Sequence, residues 1–163
     1  MTKSLIEDGL ASSLYEQLSH ERYNASLYLF IAGDLKNRGF DNLAKHFEEQ
    51  HDEEISHSLI IYNLLTDLNA PVKILEINEV SLSINNIMDI ATAYLEREIL
   101  TTQSLNEIKK QAIEEENCVV EECMRGMIVK QQAEYEEATG FSDHAELMNG
   151  DWFKVLLWDL GSK

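Results

Sequence analysis

Proline is nearly missing from this chain. Pro71 is the only one among 163 residues, and there are only seven glycines. So few breakers favour long, uninterrupted helices. Cysteine is scarce as well. Cys118 and Cys123 stand five residues apart on an expected helix. They face different ways and rise about 7.5 Å apart, too far for an easy bridge. Neither belongs to a Cys-x-x-Cys pair, which excludes a rubredoxin-like or zinc-ribbon centre. This usage fits a reduced, cytoplasmic protein. No segment approaches the ~20 apolar residues of a membrane span. Met1 to Leu10 lacks the apolar core of a secretory signal. Positive charge is the other shortage: 13 basic residues face 30 acidic ones, for a net charge of −17. Without a Lys/Arg cluster, nucleic-acid binding through phosphates is excluded. The acidity serves solubility and also gathers cations.

What is present is a set of heptad-regular apolar stripes, each broken by charge. One runs Leu43, Phe47, Gln50, Glu54, His57, Ile61, Leu64, Leu68, in steps of 4 and 3. All eight fall on one helix face, which should be buried. Glu54-x-x-His57 therefore puts a carboxylate and an imidazole where Leu or Ile belongs. A second stripe runs Leu14, Leu18, Glu21, Ala25, Tyr28, Ala32, Leu35, and Glu21 is its one charge. A third runs Ile84, Ile87, Ala91, Tyr94, Glu98, Thr101, Leu105, Ile108, Ala112, and Glu98 is its one charge. A buried carboxylate must be neutralised, paired or bound to metal. None of the three stripes carries Lys or Arg. Three carboxylates and a histidine at one level of a bundle want a divalent metal. Hard oxygen donors with one imidazole suit iron or manganese, with zinc a lesser fit.

The chain reads as one all-α domain over 1–163, with a bundle over about 4–140. Helices are expected over roughly 4–36 and 41–68, from a cap at Ser81 or Ser83 to about 112, and over 117–139, with a short fifth over 151–160. Asp41, Ser81 or Ser83, and Asp151 are the expected N-caps, and Gly140 the expected stop of the fourth helix. Residues 70–82 form an extended crossover. Two short turns and one long middle connection describe the connectivity of ferritin-like bundles.

At this point the sequence resembles the bacterial non-haem ferritins over nearly all its length. The carriers are Glu21 with Tyr28, Glu53-Glu54-Ile55-Ser56-His57, the stretch from Glu98 to Glu107, and Val129 to Glu136. The resemblance implies a ferritin-like four-helix bundle that stores iron. It implies ferroxidase activity, with Fe(II) oxidised by O2 or peroxide at a centre holding two irons per subunit. Glu21, Glu54 and His57 would hold the first iron, with Glu54 bridging. Glu98 would hold the second, with Gln132 beside it. Glu53 and Glu134 match an outer, third iron position. Gln131 stands where the family has a third-site glutamate and Tyr135 where it has a second-site glutamate, so the outer site is incomplete and the second iron is expected to bind more weakly. Tyr28 is read either as an electron donor or as a core tyrosine bonded to a carboxylate.

Haem is not expected: Ile55 occupies the position of the bacterioferritin methionine, and the fourth helix has no Glu-x-x-His. His20, His46, His51 and His144 read as surface residues or as a second layer behind the ligands. Glu121, Glu122 and Arg125 read as a solvated face near a three-fold pore. The apolar patch of Trp152, Phe153, Leu156, Leu157 and Trp158 points to burial between subunits. The implied assembly is a homo-oligomeric shell of 24 subunits. The alternatives are a non-storing di-iron peroxidase or oxidase, and a helical scaffold with a vestigial site.

Overall fold

The computed structural model describes residues 3–162. Residues 1, 2 and 163, at the ends of the expected domain, lie outside the described residues. Five helices follow in order: α1 (Asp8–Asn37), α2 (Asp41–Asp67), α3 (Ile87–Glu114), α4 (Cys118–Met148) and α5 (Trp152–Gly161). Among the described residues there is no strand. The fold is the expected ferritin-like four-helix bundle, with its long crossover and short fifth helix. α1 packs along α2 and α3 along α4, and α1–α3 and α2–α4 contacts close the bundle. The short turns make each pair antiparallel. The crossover is tied to α1 by Tyr15, whose hydroxyl donates to Pro71 O, and by Arg22, whose Nη1 donates to Leu75 O at 2.8 Å.

The helix ends differ from expectation in instructive ways. Asp41 is the first residue of α2 rather than its cap, and the preceding Phe40 offers no side-chain acceptor. The cap comes from α5 instead. Asp159 Oδ1 accepts from Leu43 N at 2.8 Å, and Asp159 O accepts from Asn42 Nδ2 at 2.9 Å. α3 starts at Ile87, after neither Ser81 nor Ser83. Asn86 and Asp89 form a reciprocal capping box there, which satisfies two otherwise orphaned amides. α4 runs through Gly140 to Met148. Phe141 and Ala145 continue its buried face, and their burial outweighs the cost of a helical glycine, about 1 kcal/mol. Its real stop is Asn149–Gly150, both at positive φ. Asp151 caps α5, accepting from Phe153 N at 2.9 Å.

The core divides into two apolar clusters. One holds Leu10, Leu14, Leu18, Ile61, Leu64, Leu105, Ile108, Met124 and Met127. The other holds Tyr28, Ile31, Leu35, Leu43, Phe47, Ile90, Tyr94, Phe141 and Val155. Between them, at mid-bundle, lies a layer of buried polar side chains. α5 docks on the second cluster. Trp152 stacks on Phe40 with centroids 5.6 Å apart, and Trp158 lies 4.9 Å from Phe141. Trp152, Leu156 and Trp158 of the terminal apolar patch therefore have intramolecular partners, contrary to the sequence reading. Phe153, Leu157 and Leu160 are the large apolar side chains that α5 leaves exposed.

Candidate metal centre

Each long helix sends polar residues into the middle layer. α1 contributes Gln17, Glu21 and Asn24; α2 contributes Gln50, Glu54 and His57; α3 contributes Glu98 and Thr101; α4 contributes Gln131 and Glu134. All are buried. Glu21, Glu98 and Asn24 are fully so, at 0% exposure, a position carboxylates rarely occupy without a charge partner. Two groups of donor atoms converge here, each with its atoms within 4.8 Å of one another: Glu21 with Glu54 and His57, and Glu54 with Glu98 and Glu134. Glu54 belongs to both.

The electrostatics of the layer are those of crowded like charges. Burial pushes the Glu54 carboxyl well above its usual range, and Glu21, Glu98 and Glu134 push it further. Burial also raises Glu98, against the opposing hydrogen bonds from Tyr28 and Gln131. Glu134 is pushed up to about 8 by burial and by Glu98 and Glu53. Burial lowers the pKa of His57, which favours the neutral imidazole, the form that ligates metals. Its Nε2 lies 3.2 Å from Glu134 Oε1, and its Nδ1 lies 3.9 Å from Glu54 Oε1. Glu21 Oε2 and Glu134 Oε2 are buried without a hydrogen-bond partner. Orphaned carboxylate oxygens in a dry interior are costly. Divalent cations held by the two groups would give these carboxylates the partner they lack and relieve the repulsion, so the donor set fits the ion that the sequence called for.

A second layer of neutral donors orients these carboxylates. Gln17 Nε2 donates to Glu21 Oε1 at 2.7 Å, and Gln17 Oε1 accepts from Ser104 Oγ at 2.6 Å. Gln131 Nε2 donates to Glu98 Oε2 at 2.6 Å. The Tyr28 hydroxyl donates to Glu98 Oε1. Asn24 Nδ2 bonds Thr101 Oγ1 at 3.1 Å and reaches Glu54 Oε2 at 3.5 Å, while its Oδ1 accepts from Arg97 Nε at 2.6 Å. Arg97 also reaches His20 Nδ1 at 2.8 Å. The Arg97 guanidinium thus bonds Asn24 and His20 and forms no ion pair with a carboxylate of the layer, though its charge opposes the rise at Glu98. Burial and Arg97 lower His20 to about 4, which keeps it neutral.

The structure brings Glu21, Tyr28, Glu54, His57 and Glu98 together and rearranges the fourth helix. Gln132 is exposed and bonds Glu136 at 3.0 Å, so it does not stand beside the second group. Tyr135 is exposed too, and it neither holds nor weakens that group. Glu134, expected at an outer position, is a member of the inner second group. Gln131 is buried and serves as a donor to Glu98. Glu53 is exposed at the edge of the layer and joins neither group. The second group therefore offers three carboxylates, and the reason for expecting weak second-metal binding falls away. The signal for this register lies in α4 itself. Val120, Met124, Met127, Gln131, Glu134, Ala138, Phe141 and Ala145 are buried in steps of 4 and 3, and Gln132 and Tyr135 fall off that stripe.

A cavity of about 600 Å³ lies apart from the layer, lined by His46, His144, Phe141 and Trp158 among others. Neither of its histidines belongs to a converging donor group among the described residues. Cys118 and Cys123 are both free. No helix among the described residues is long and apolar enough to cross a membrane.

Comparison with known proteins agrees with this architecture. A bacterial non-heme ferritin of Staphylococcus aureus (strain USA300) is 24% identical over 110 residues, which span 66% of this chain and 66% of that protein, just under two thirds of either. An open-pore ferritin from the hyperthermophilic archaeon Archaeoglobus fulgidus superposes with a TM-score of 0.91 over 98% of each chain, at 19% identity. A ferritin of Chlorobium tepidum gives 0.85 over 93% of each chain, also at 19% identity. At these identities the structural likeness is one of fold. The ferritin-like domain model matches residues 11–148, a stretch that holds Glu21, Glu54, His57, Glu98 and Glu134, and the chain belongs to that family.

Proposed function

We propose that this protein stores and detoxifies iron, oxidising Fe(II) to Fe(III) at a two-metal centre within each subunit. The observation that carries the reading is the pair of donor groups sharing Glu54, buried and without a basic partner. Glu21, Glu54 and His57 take the first Fe(II). Glu54, Glu98 and Glu134 take the second. Iron here is substrate: two Fe(II) give up two electrons, and O2 with two protons becomes H2O2, or H2O2 with two protons becomes two waters. The carboxylates favour the product because charge-dense oxygen donors bind Fe(III) more strongly than Fe(II). Tyr28 and Gln131 hold Glu98 in place, and Gln17 holds Glu21. Oxidised iron then moves to a mineral inside a homo-oligomeric shell of 24 subunits in the cytoplasm. The exposed stripe Ile55, Leu59 and Tyr62 on α2, with Phe153, Leu157 and Leu160 on α5, supports assembly.

The test is Glu54→Ala. It removes the one ligand shared by both metals, and it also removes a buried, crowded carboxylate, so the fold should survive. Stopped-flow absorbance should show the initial rate of Fe(II) oxidation falling by about 100-fold or more, since even the loss of an outer partner costs up to that much. Oxidation at the wild-type rate would refute the assignment.

A further inference from the structure

The polar layer opens between α2 and α4 into a cavity of about 400 Å³. Its walls carry Glu53, His57, Glu134 and Glu137, and Lys130 is the one ammonium among the lining residues. Three carboxylates around one opening of a metal centre are a natural place for a further cation. Yet Glu53 and Glu137 join no converging donor group among the described residues. Lys130 is exposed, lies one turn before Glu134 on α4, and makes no ion pair among the described residues. Its charge is felt at His57.

We propose that Lys130 is a tethered cation that fixes the capacity of the centre at two metals, by supplying at the α2–α4 opening the positive charge that a third divalent ion would otherwise bring. The inference rests on the two-metal reading above. A protonated ammonium has three donors and no lone pair, so it cannot ligate a metal. Its charge repels a divalent ion from the space it occupies. Its four-carbon stem lets that charge follow the carboxylates instead of locking onto one. Ala133 lines the same cavity and adds no donor. Lys130 is therefore a specificity-determining residue: it leaves the inner groups free to fill and denies the opening a trapped ion, so oxidised metal leaving by this route meets no further tight site.

Anaerobic titration of the assembled protein with Co(II), followed by its absorption spectrum and by equilibrium dialysis, reads the number of tight sites without redox chemistry. Salt should be high enough to screen the exposed carboxylates. The wild type should bind two Co(II) tightly per subunit. K130E, which reverses the charge and adds a ligand, should bind three, and K130E/E53Q should return to two. Three tight sites in the wild type would overturn the inference while leaving the two-metal reading intact. A K130E variant that stops at two would do the same, since its two filled sites show the centre still folded. Fewer than two in the wild type would overturn the two-metal reading, and this inference with it.

Discussion

At the residue scale, the polar layer is held ready at the expense of the metal-free protein, and the sign of that effect can be worked out. Burial raises Glu54 and Glu98, and it takes Glu134 from 4.5 to about 8. Between these values the folded chain keeps protons that the unfolded chain has released, so stability falls as pH rises. The histidines act the other way. Burial lowers His20 to about 4 and also lowers His46 and His57, all from 6.5. Their effect is to make stability rise with pH, and it is complete once the unfolded imidazoles have lost their protons. Above about pH 7.5, where the unfolded imidazoles have lost nearly all their protons, the carboxyls dominate. We predict that chelator-treated protein has a lower urea midpoint at pH 8.5 than at pH 7.5. The loss should be on the order of 1 kcal/mol after discounting for partial solvent screening. Saturating Co(II) should erase it, because metal replaces the protons. A midpoint that rises across this window would contradict the account.

Glu21, Glu54, His57 and Glu98 were legible in the sequence because each interrupts an otherwise apolar stripe. Glu134 was legible by the same rule, since it follows Met124, Met127 and Gln131 at heptad spacing. Matching a motif in place of counting the stripe shifts α4 by one residue, toward Gln132 and Tyr135. The outer donors are a different case. Asn24, Gln17 and Thr101 are ordinary polar residues, and their roles depend on atoms from other helices. No local pattern in one helix specifies such a contact.

At the element scale, helix existence followed from periodicity, while helix ends followed from tertiary contacts. Asp159 caps α2 from more than a hundred residues away, with a sequence separation of 116 to Leu43, so nothing near Asp41 announces it. Gly140 shows the converse. A glycine after a long polar stretch reads as a stop, yet Phe141 packs against Phe47, Tyr94 and Trp158 and carries α4 onward. Beyond the local helix backbone, no atom lies within 4 Å of where a Cβ on Gly140 would stand, and its φ is not positive. Gly140→Ala should therefore stabilise the protein by about 0.5–1 kcal/mol, by restricting the unfolded chain and favouring the helix. Chemical denaturation monitored by circular dichroism would show it as a raised midpoint. A lowered midpoint would mean that a contact absent from the single subunit needs glycine there.

At the scale of the whole molecule, charge, shape and site point the same way. A net charge of −17 on 163 residues draws cations toward the protein. The bundle places two donor groups midway between two apolar clusters, where burial strengthens the repulsion among carboxylates. Apolar side chains on α2 and α5 stand exposed, and the proposed assembly would cover them. On the function proposed above, these features together make an iron store. The most direct test is to load the protein anaerobically with excess Fe(II), admit oxygen, and pass it through size exclusion with light scattering and iron analysis in line. The account predicts a single large, closed particle that carries iron far in excess of two atoms per subunit. A monomer or dimer, or a large particle that retains no more than two irons per subunit, would contradict it.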